Sequence, residues 1–398
     1  MLFELIDSKK ICDSCFLNGK IIPFNETSDL SHTWDYSPLF GDNKYELAKL
    51  YIKSKNIEDA VSHDSREHYL IYKDKVKAYL KSFRTAKVSL EENCFFDLVP
   101  PYFLKELFMF RSILLSEIFE TYKRPDDYDF LYDLNKMIYE ISERDVKLNL
   151  SRVLETGNVA LYKNLDKFKK RTNYNMFGAI TGRLSTEPDS FPILTLSKGN
   201  RQFVEPTNDF LLEMDFNAFE PRILIALNGK KQPAEDLHDW NMNNIFIGLS
   251  RDDSKRKFIA WLYDSKGSVK LTESQKKKVN AIYNKDQIKR KYYDGGMVKN
   301  HYGREIKADE DHALNYIVQS TAADVFLRQA IKVNKLLEGK KSFIKFLIHD
   351  SIVLDISKED VGMLKDIFED FSTTDFGKLM VKKKLGKNFG DMKKIWML

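Results

Sequence analysis

The chain has 398 residues, of which 43% are apolar and 31% charged, and a formal net charge of +5. This is the composition of a soluble globular protein with length enough for several subdomains. It excludes a membrane span, because no window of about 18 uncharged apolar residues occurs.

The start, Met1-Leu2-Phe3-Glu4-Leu5-Ile6-Asp7, is acidic, and its apolar run is too short for a signal peptide. Three cysteines fit a reducing cytoplasm better than a disulfide framework. Residues 1–100 are mixed and carry no strong motif. Cys12 and Cys15 invite a zinc reading, completed by His63 and His68 or by Cys94, but a second paired local motif is lacking. Two small buried residues are the simpler reading.

Pro100-Pro101 punctuates the end of this region. From Tyr102 to about Leu150, apolar residues recur at helical spacing. They include Phe103, Leu107, Phe108, Ile113, Leu114 and Ile118, then Leu131, Leu134, Ile138 and Ile141. The pattern predicts a helical pair. Residues 172–185 read as extended, and a strand ends at Asp215 with a helix following at about Phe219. Residues 236–300 read as mostly helical, and a helix runs from about Asp311 to Leu337. A strand hairpin flanks Asp350, and a last helix covers about Glu359 to Phe371. Lysine-rich runs at Lys276-Lys277-Lys278, Lys289-Arg290-Lys291 and Lys382-Lys383-Lys384 could track phosphates or simply be solvated faces.

Two aspartates carry the chemical signal. Asp215 ends the apolar run Leu211-Leu212-Glu213-Met214, and Asp350 follows Phe346-Leu347-Ile348-His349. A carboxylate at the end of a buried strand lies on rigid backbone. Two of them, brought together by folding, could hold two Mg²⁺ ions roughly 4 Å apart and clamp both oxygens of an in-line phosphoryl displacement. Between them, Arg251, Lys255, Ile259 and Tyr263 recur every four residues, so they form one slowly drifting helical stripe with a cationic start and an aromatic end. Such a stripe suits a nucleotide lying along it.

With Ile180-Thr181-Gly182-Arg183-Leu184-Ser185 upstream and Asn315-Tyr316-Ile317-Val318-Gln319 downstream, the order and spacing of these segments resemble the family A, DNA polymerase I-like, DNA polymerases. The resemblance covers residues 100–398. It implies an α+β right-hand fold, with a palm built on an antiparallel sheet, helical fingers and a helical thumb. The implied divisions are thumb 101–171, palm 172–228 and 311–398, and fingers 229–310, after an N-terminal region 1–100 of unknown role. It implies template-directed addition of dNTPs to a primer 3′-hydroxyl, with two Mg²⁺ ions for which Mn²⁺ can substitute.

The resemblance also implies roles, residue by residue. Asp215 and Asp350, with the carbonyl of Phe216, bind metal. Arg251, Lys255 and His238 hold the triphosphate. Tyr263 and Ile259 lie near base and sugar. Glu220, in the intact pattern Asp215, Glu220, Arg222, is a steric gate against the ribose 2′-hydroxyl. The plain alternative for Glu220 is a helix-start acid favoured by the helix dipole. Arg183, Arg222, Asn315, Gln319 and His349 contact primer–template. Partners are then primer–template DNA, dNTPs and possible separate replication proteins, in the cytoplasm with no membrane.

Some positions depart from the family. Ile259 replaces an aromatic, Asp264 a Gly, Asp311 an Arg, and Ser351 an acid. A proofreading domain needs a set of acids over nearly two hundred residues, which the leading residues do not offer, so proofreading is expected to be absent. The chain resembles small phage polymerases. Two rival readings are a two-metal nuclease, which has no use for the nucleotide-gripping stripe, and an inactive DNA-binding clamp. An RNA polymerase is a further alternative that Glu220 argues against.

Overall fold

The computed structural model describes all residues except 7–11, 91, 156, 158–161, 164–169, 189, 265–266 and 396–398. It divides into two compact units, Met1–Lys136 and Met137–Leu398, with the division inside helix Tyr128–Ser142.

In the first unit a small antiparallel sheet of Glu4–Leu5, Ser14–Leu17 and Lys20–Pro23 packs with helix Pro101–Thr121. Pro101 opens that helix at the position where a missing N–H is harmless. The residues read as its apolar stripe split. Phe103, Phe108, Leu114 and Ile118 are buried, whereas Ile113 is exposed, because the inward arc already holds Leu114 and Leu115. Helix Arg66–Thr85 lays Tyr72, Val76, Tyr79 and Phe83 against the same core. The cysteines correct the sequence expectation. Cys12 and Cys94 are joined in a disulfide with Cα atoms 5.4 Å apart, inside the cluster of Ile6, Phe16, Phe103 and Phe108, while Cys15 is buried and free. No group of three or more His, Cys, Asp or Glu among the described residues is placed to hold a metal ion, so the zinc reading finds no ligand set.

The second unit is built on a five-stranded antiparallel sheet. Its spatial order is Phe343–Ile348, Ser351–Ile356, Phe210–Phe216, Val381–Gly386 and Lys393–Lys394. The central strand alternates. Leu212, Met214 and Phe216 face one way, and Phe216 stacks on Phe371 of helix Leu364–Ser372, which in turn meets Phe326 of the long helix Glu310–Leu336. Glu213 and Asp215 therefore stand on the opposite face. At the far end of the sheet Asp355 is fully buried and accepts from the backbone N–H groups of Thr207 and Asn208, at 2.6 and 2.8 Å. These bonds fix the entry of the central strand.

The described residues of 236–292 form four helices, Leu237–Asn244, Arg251–Tyr263, Glu273–Ile282 and Lys285–Tyr292. Each begins at a side chain that accepts from its first turn: Asp236, Ser250, Thr272 and Asn284. The chain then turns to strands earlier than the periodicity suggested, with Tyr293–Asp294, Met297–Lys299 and Glu305–Lys307 in a small sheet. Gly295 and Gly296, both at positive φ, make the first turn. Residues 172–185 are less extended than expected. Only Tyr174–Asn175 and Ser185–Thr186 pair, and the backbone between them is irregular. The last helix starts late, at Leu364, after a 3₁₀ stretch Lys358–Met363 that contains Gly362.

Candidate active site

Asp215 lies next to last in strand Phe210–Phe216, with Ser351 opposite on one side and Lys382 on the other. Asp350 sits in the two-residue turn between Ile348 and Ser351. The backbone N–H of Phe216 donates to the carbonyl of Asp350 at 3.3 Å, which fastens that turn to the end of the central strand. Two non-glycine residues bracket the pair in the left-handed region, His349 at φ +55° and Ala218 at φ +47°. Such backbone is costly unless the surroundings over-determine it, and it concentrates at functional sites.

The electrostatics are those of a site short of positive charge. Burial, then Asp350 and Glu213, push the Asp215 carboxyl up to about 7, against the pull of Lys384 and Lys382. Burial also raises Asp350, with Arg183 and His349 opposing. Neither aspartate forms an ion pair among the described residues. The lysines of strand Val381–Gly386 have partners within the protein. Lys384 pairs with Glu213, Lys382 with Asp236 at 3.2 Å, and Lys383 lies 3.9 Å over the Phe368 ring. Of the other basic runs, Lys276 pairs with Glu273 and Lys289 with Glu310.

Glu220 occupies the first turn of helix Phe219–Leu227 and is 15% exposed at its side chain. Arg183 Nη2 donates to one carboxylate oxygen, Tyr263 Oη donates to the other, and the Gln319 amide lies near enough to favour its charged form. Burial raises its pKa, and Arg183 opposes the rise. Four segments distant in sequence thus converge on one carboxylate: the Thr-Gly-Arg loop, the helix after Asp215, the end of helix Arg251–Tyr263, and helix Glu310–Leu336.

Helix Arg251–Tyr263 buries Ser254, Phe258 and Leu262, so the stripe one residue further on borders the outer face. Arg251 is held by Asp236 at 3.1 Å and by Asp239. Lys255 is exposed and forms no ion pair among the described residues. Ile259 is half-buried, and Tyr263 is 40% exposed. Asp264 ends the helix and accepts from the N–H of Val269 at 2.6 Å. His238 is 7% exposed, and its Nδ1 has no hydrogen-bond partner among the described residues. Burial first, then Lys255, Arg251 and Lys382, lower it to about 4, so near neutrality it is an uncharged imidazole beside three cations.

Arg222 requires correction as a primer–template contact. It is fully buried, and its guanidinium donates to the carbonyls of Asn217, Pro233 and Glu235 at 2.9, 2.8 and 2.7 Å and to Asn217 Oδ1 at 3.1 Å. It binds the segment after Asp215 to the one before His238 and reaches nothing outside. Asn315 and Gln319 are half-buried on helix Glu310–Leu336, and His349 is exposed beside Asp350. Asp236 and Glu213 were not singled out in the sequence, and Lys382 only as part of a lysine-rich run. Asp236 had a legible signal as the capping residue of Asp-Leu-His, whereas Lys382 meets it only through the sheet register.

No protein-family model matches the chain. It is 24% identical over 263 residues to DNA polymerase I of Aquifex aeolicus (strain VF5), covering 56% of this chain and 45% of that one. It is 26% identical over 220 residues to the DNA polymerase of Mycobacterium phage L5, covering 46% of this chain and 34% of the phage protein. The chain thus spans less than half the length of these relatives. Its structure matches the POL domain of Pol1 from M. smegmatis, solved in complex with DNA primer-template and dNTP. The TM-score is 0.64 with 12% identity, over 98% of this chain and 96% of that one. The chain is thus similar in sequence to a bacterial and a phage DNA polymerase. The structural likeness gives the fold, a mixed α+β polymerase-domain architecture over nearly the whole chain. No described helix is long and apolar enough to cross a membrane.

Proposed function

We propose that the chain is a template-directed DNA polymerase that extends a primer 3′-hydroxyl with dNTPs. The observation that carries this reading is the convergence in one unit of three features. They are two neighbouring carboxylates with no ion pair among the described residues, a helix with its cationic start near His238, and a buried Glu220 tied to that helix's last residue. The relatives' names and the shared fold support it. In this reading residues 172–228 and 311–398 are palm, 229–310 fingers and 101–171 thumb.

The donor set fits a hard divalent cation. It is all oxygen, from Asp215, Asp350 and the carbonyl of Phe216, and it is electrostatically in need of a cation. Only two side chains contribute, which suits Mg²⁺, an ion that keeps waters and substrate phosphates in its shell. Mn²⁺ is a substitute of similar preference. Bound there, such ions would lower the pKa of the primer hydroxyl and neutralise charge on the leaving pyrophosphate.

In the reaction a bond forms between the primer 3′-oxygen and the α-phosphorus. The bond from that phosphorus to the bridging oxygen breaks, and pyrophosphate leaves. Arg251 and Lys255 hold the β- and γ-phosphates by charge-assisted contacts that strengthen as charge moves onto the leaving group. His238, neutral at this pH, donates or accepts one hydrogen bond there without adding charge. Glu220 fills the space of a 2′-hydroxyl. Arg183, Asn315, Gln319 and His349 contact the primer–template by shape and shared minor-groove acceptors. Arg222 braces the shell.

Primer extension with Mg²⁺ and dNTPs tests the reading. Template-dependent lengthening is the expected result. Strand shortening without extension would favour the two-metal nuclease instead.

A further inference from the structure

Gly182 belongs to the Thr181-Gly182-Arg183 segment that marks the chain, and Asp324 follows Gln319 on helix Glu310–Leu336, yet neither has a part in the chemistry above. The structure joins them through Arg304. This residue lies in the 300–304 turn between strands Met297–Lys299 and Glu305–Lys307. Its Nη2 donates to Asp324 Oδ1 at 2.6 Å and its Nε to Oδ2 at 3.2 Å. The Asp324 side chain is 3% exposed. Asn300 Nδ2 donates to the same Oδ2 at 2.7 Å, and Asn300 Oδ1 accepts from the N–H groups of Tyr302 and Arg304, at 2.9 Å each. A two-pronged guanidinium on a buried carboxylate has one geometry, so turn and side chain are fixed together.

Arg304 also lies against the backbone of Gly182. Gly182 has φ +78°, and a Cβ there would stand 2.6 Å from Arg304 Cζ and 2.7 Å from Nη2. Only glycine meets both conditions. Residues 176–184 form neither strand nor helix, and Gly182 N–H donates within the loop to Ala179 O at 2.9 Å. The loop thus takes its position from packing, and the Arg304 guanidinium is part of that packing. The next residue is Arg183, which bonds Glu220.

We propose that Arg304, gripped by Asp324, is a positioning residue for sugar selection, acting through the Gly182–Arg183 loop on Glu220. The inference rests on the reading of Glu220 as the sugar gate. With Arg304 in place, Arg183 holds one carboxylate oxygen while Tyr263 and Gln319 supply the other contacts. With Arg304 altered, the loop shifts, Arg183 leaves, and the gate swings.

The test is the ratio of kcat/KM for a dNTP to that for its rNTP. It is measured with thermal melting in the parent, Arg304→Lys, Asp324→Asn, Glu220→Ala and the double Arg304→Lys/Glu220→Ala. Arg304→Lys keeps a cation on Asp324 but loses the flat face on Gly182. It should lower the ratio about tenfold, and Asp324→Asn should do the same. In the Glu220→Ala background Arg304→Lys should change the ratio no further, because the two residues act in one chain of contacts. A merely structural role predicts lower melting temperatures with an unmoved ratio, or effects that multiply in the double variant, and either overturns the proposal. If Glu220→Ala alone collapses the ratio and Arg304→Lys does not, the gate stands and the role of Arg304 falls. If Glu220→Ala leaves the ratio unmoved, the gate reading fails and takes this one with it.

Discussion

The carboxylate end and the cationic end of the site are built in opposite ways. Asp215, in the central strand, and Asp350, in the adjoining hairpin turn, stand without an ion pair among the described residues; burial raises both pKa values, with repulsion from Asp350 and Glu213 adding to it at Asp215 and from Glu213 at Asp350. At the other end Arg251 is already held by Asp236 and Asp239, and Lys382 by Asp236. The first arrangement leaves repulsion that a bound cation relieves. The second keeps its cations on protein anions that an incoming polyanion must replace. Occupying the first end removes a penalty, whereas occupying the second exchanges one counter-ion for another. Substitutions at the two ends should therefore differ in size and in kind.

The largest effect is expected at the carboxylates. Asp215→Ala or Asp350→Ala removes half of the side-chain ligands and should reduce primer extension by about 10³-fold or more. Duplex binding, read by fluorescence anisotropy, should stay within a few-fold of the parent. Extension at near parental rate by either variant would break the comparison at its root.

The cationic end should respond less. Lys255 pairs with no protein anion among the described residues, so Lys255→Ala should raise the dNTP KM and lower kcat, together about 10- to 100-fold in kcat/KM. Single-nucleotide incorporation kinetics read both parameters. Asp239→Asn tests the counter-ion exchange directly. It weakens one of the two carboxylate contacts on Arg251, on a residue that is itself half-exposed. The dNTP KM should then fall a few-fold. A rise instead would mean that Asp239 orients Arg251 rather than competing for it.

The unequal construction also explains what was legible in the sequence. Asp215, Phe216 and the helix after them were readable because a buried alternating strand followed by a helix start is a local pattern. The helix at Arg251–Tyr263 was readable for the same reason, and so was the long helix, predicted at 311–337 and found at Glu310–Leu336. The hairpin at Asp350 was visible, but the left-handed His349 inside it was not. Arg222 was misplaced because its motif spacing says nothing about burial; its donors are consumed by carbonyls from two other segments. Asp236 with Lys382, and Arg304 with Gly182, depend on sheet register and on a contact between segments more than a hundred residues apart, which no local pattern announces. The Cys12–Cys94 link is a non-local contact of the same kind.

The smallest effect should come from protons, which read the two ends with opposite sign. Asp215 is raised to about 7 from an ordinary 3.8, so between those values the folded metal-free protein holds a proton that the unfolded chain releases. Its share of stability is complete below the unfolded value and is lost as pH rises through the folded one. His238 is lowered to about 4 from 6.5, so the unfolded chain binds the extra proton. Its share is present above 6.5 and is lost as pH falls toward 4. The two slopes oppose each other across pH 4 to 6.5 and would cancel in a single melting curve, so each must be read as a difference from its own variant. Asp215→Asn should gain on the parent by a few degrees of Tm as pH is raised from 5 to 8 without metal, whereas His238→Gln should gain on it as pH is lowered from 7 to 5. Added Mg²⁺ should close the first gap by stabilising the parent above pH 7, where no proton competes for Asp215, and should leave the second gap unchanged. If the Asp215→Asn difference does not vary with pH, or Mg²⁺ stabilises both proteins equally, the carboxylate end is not short of a cation and the two ends are not opposites.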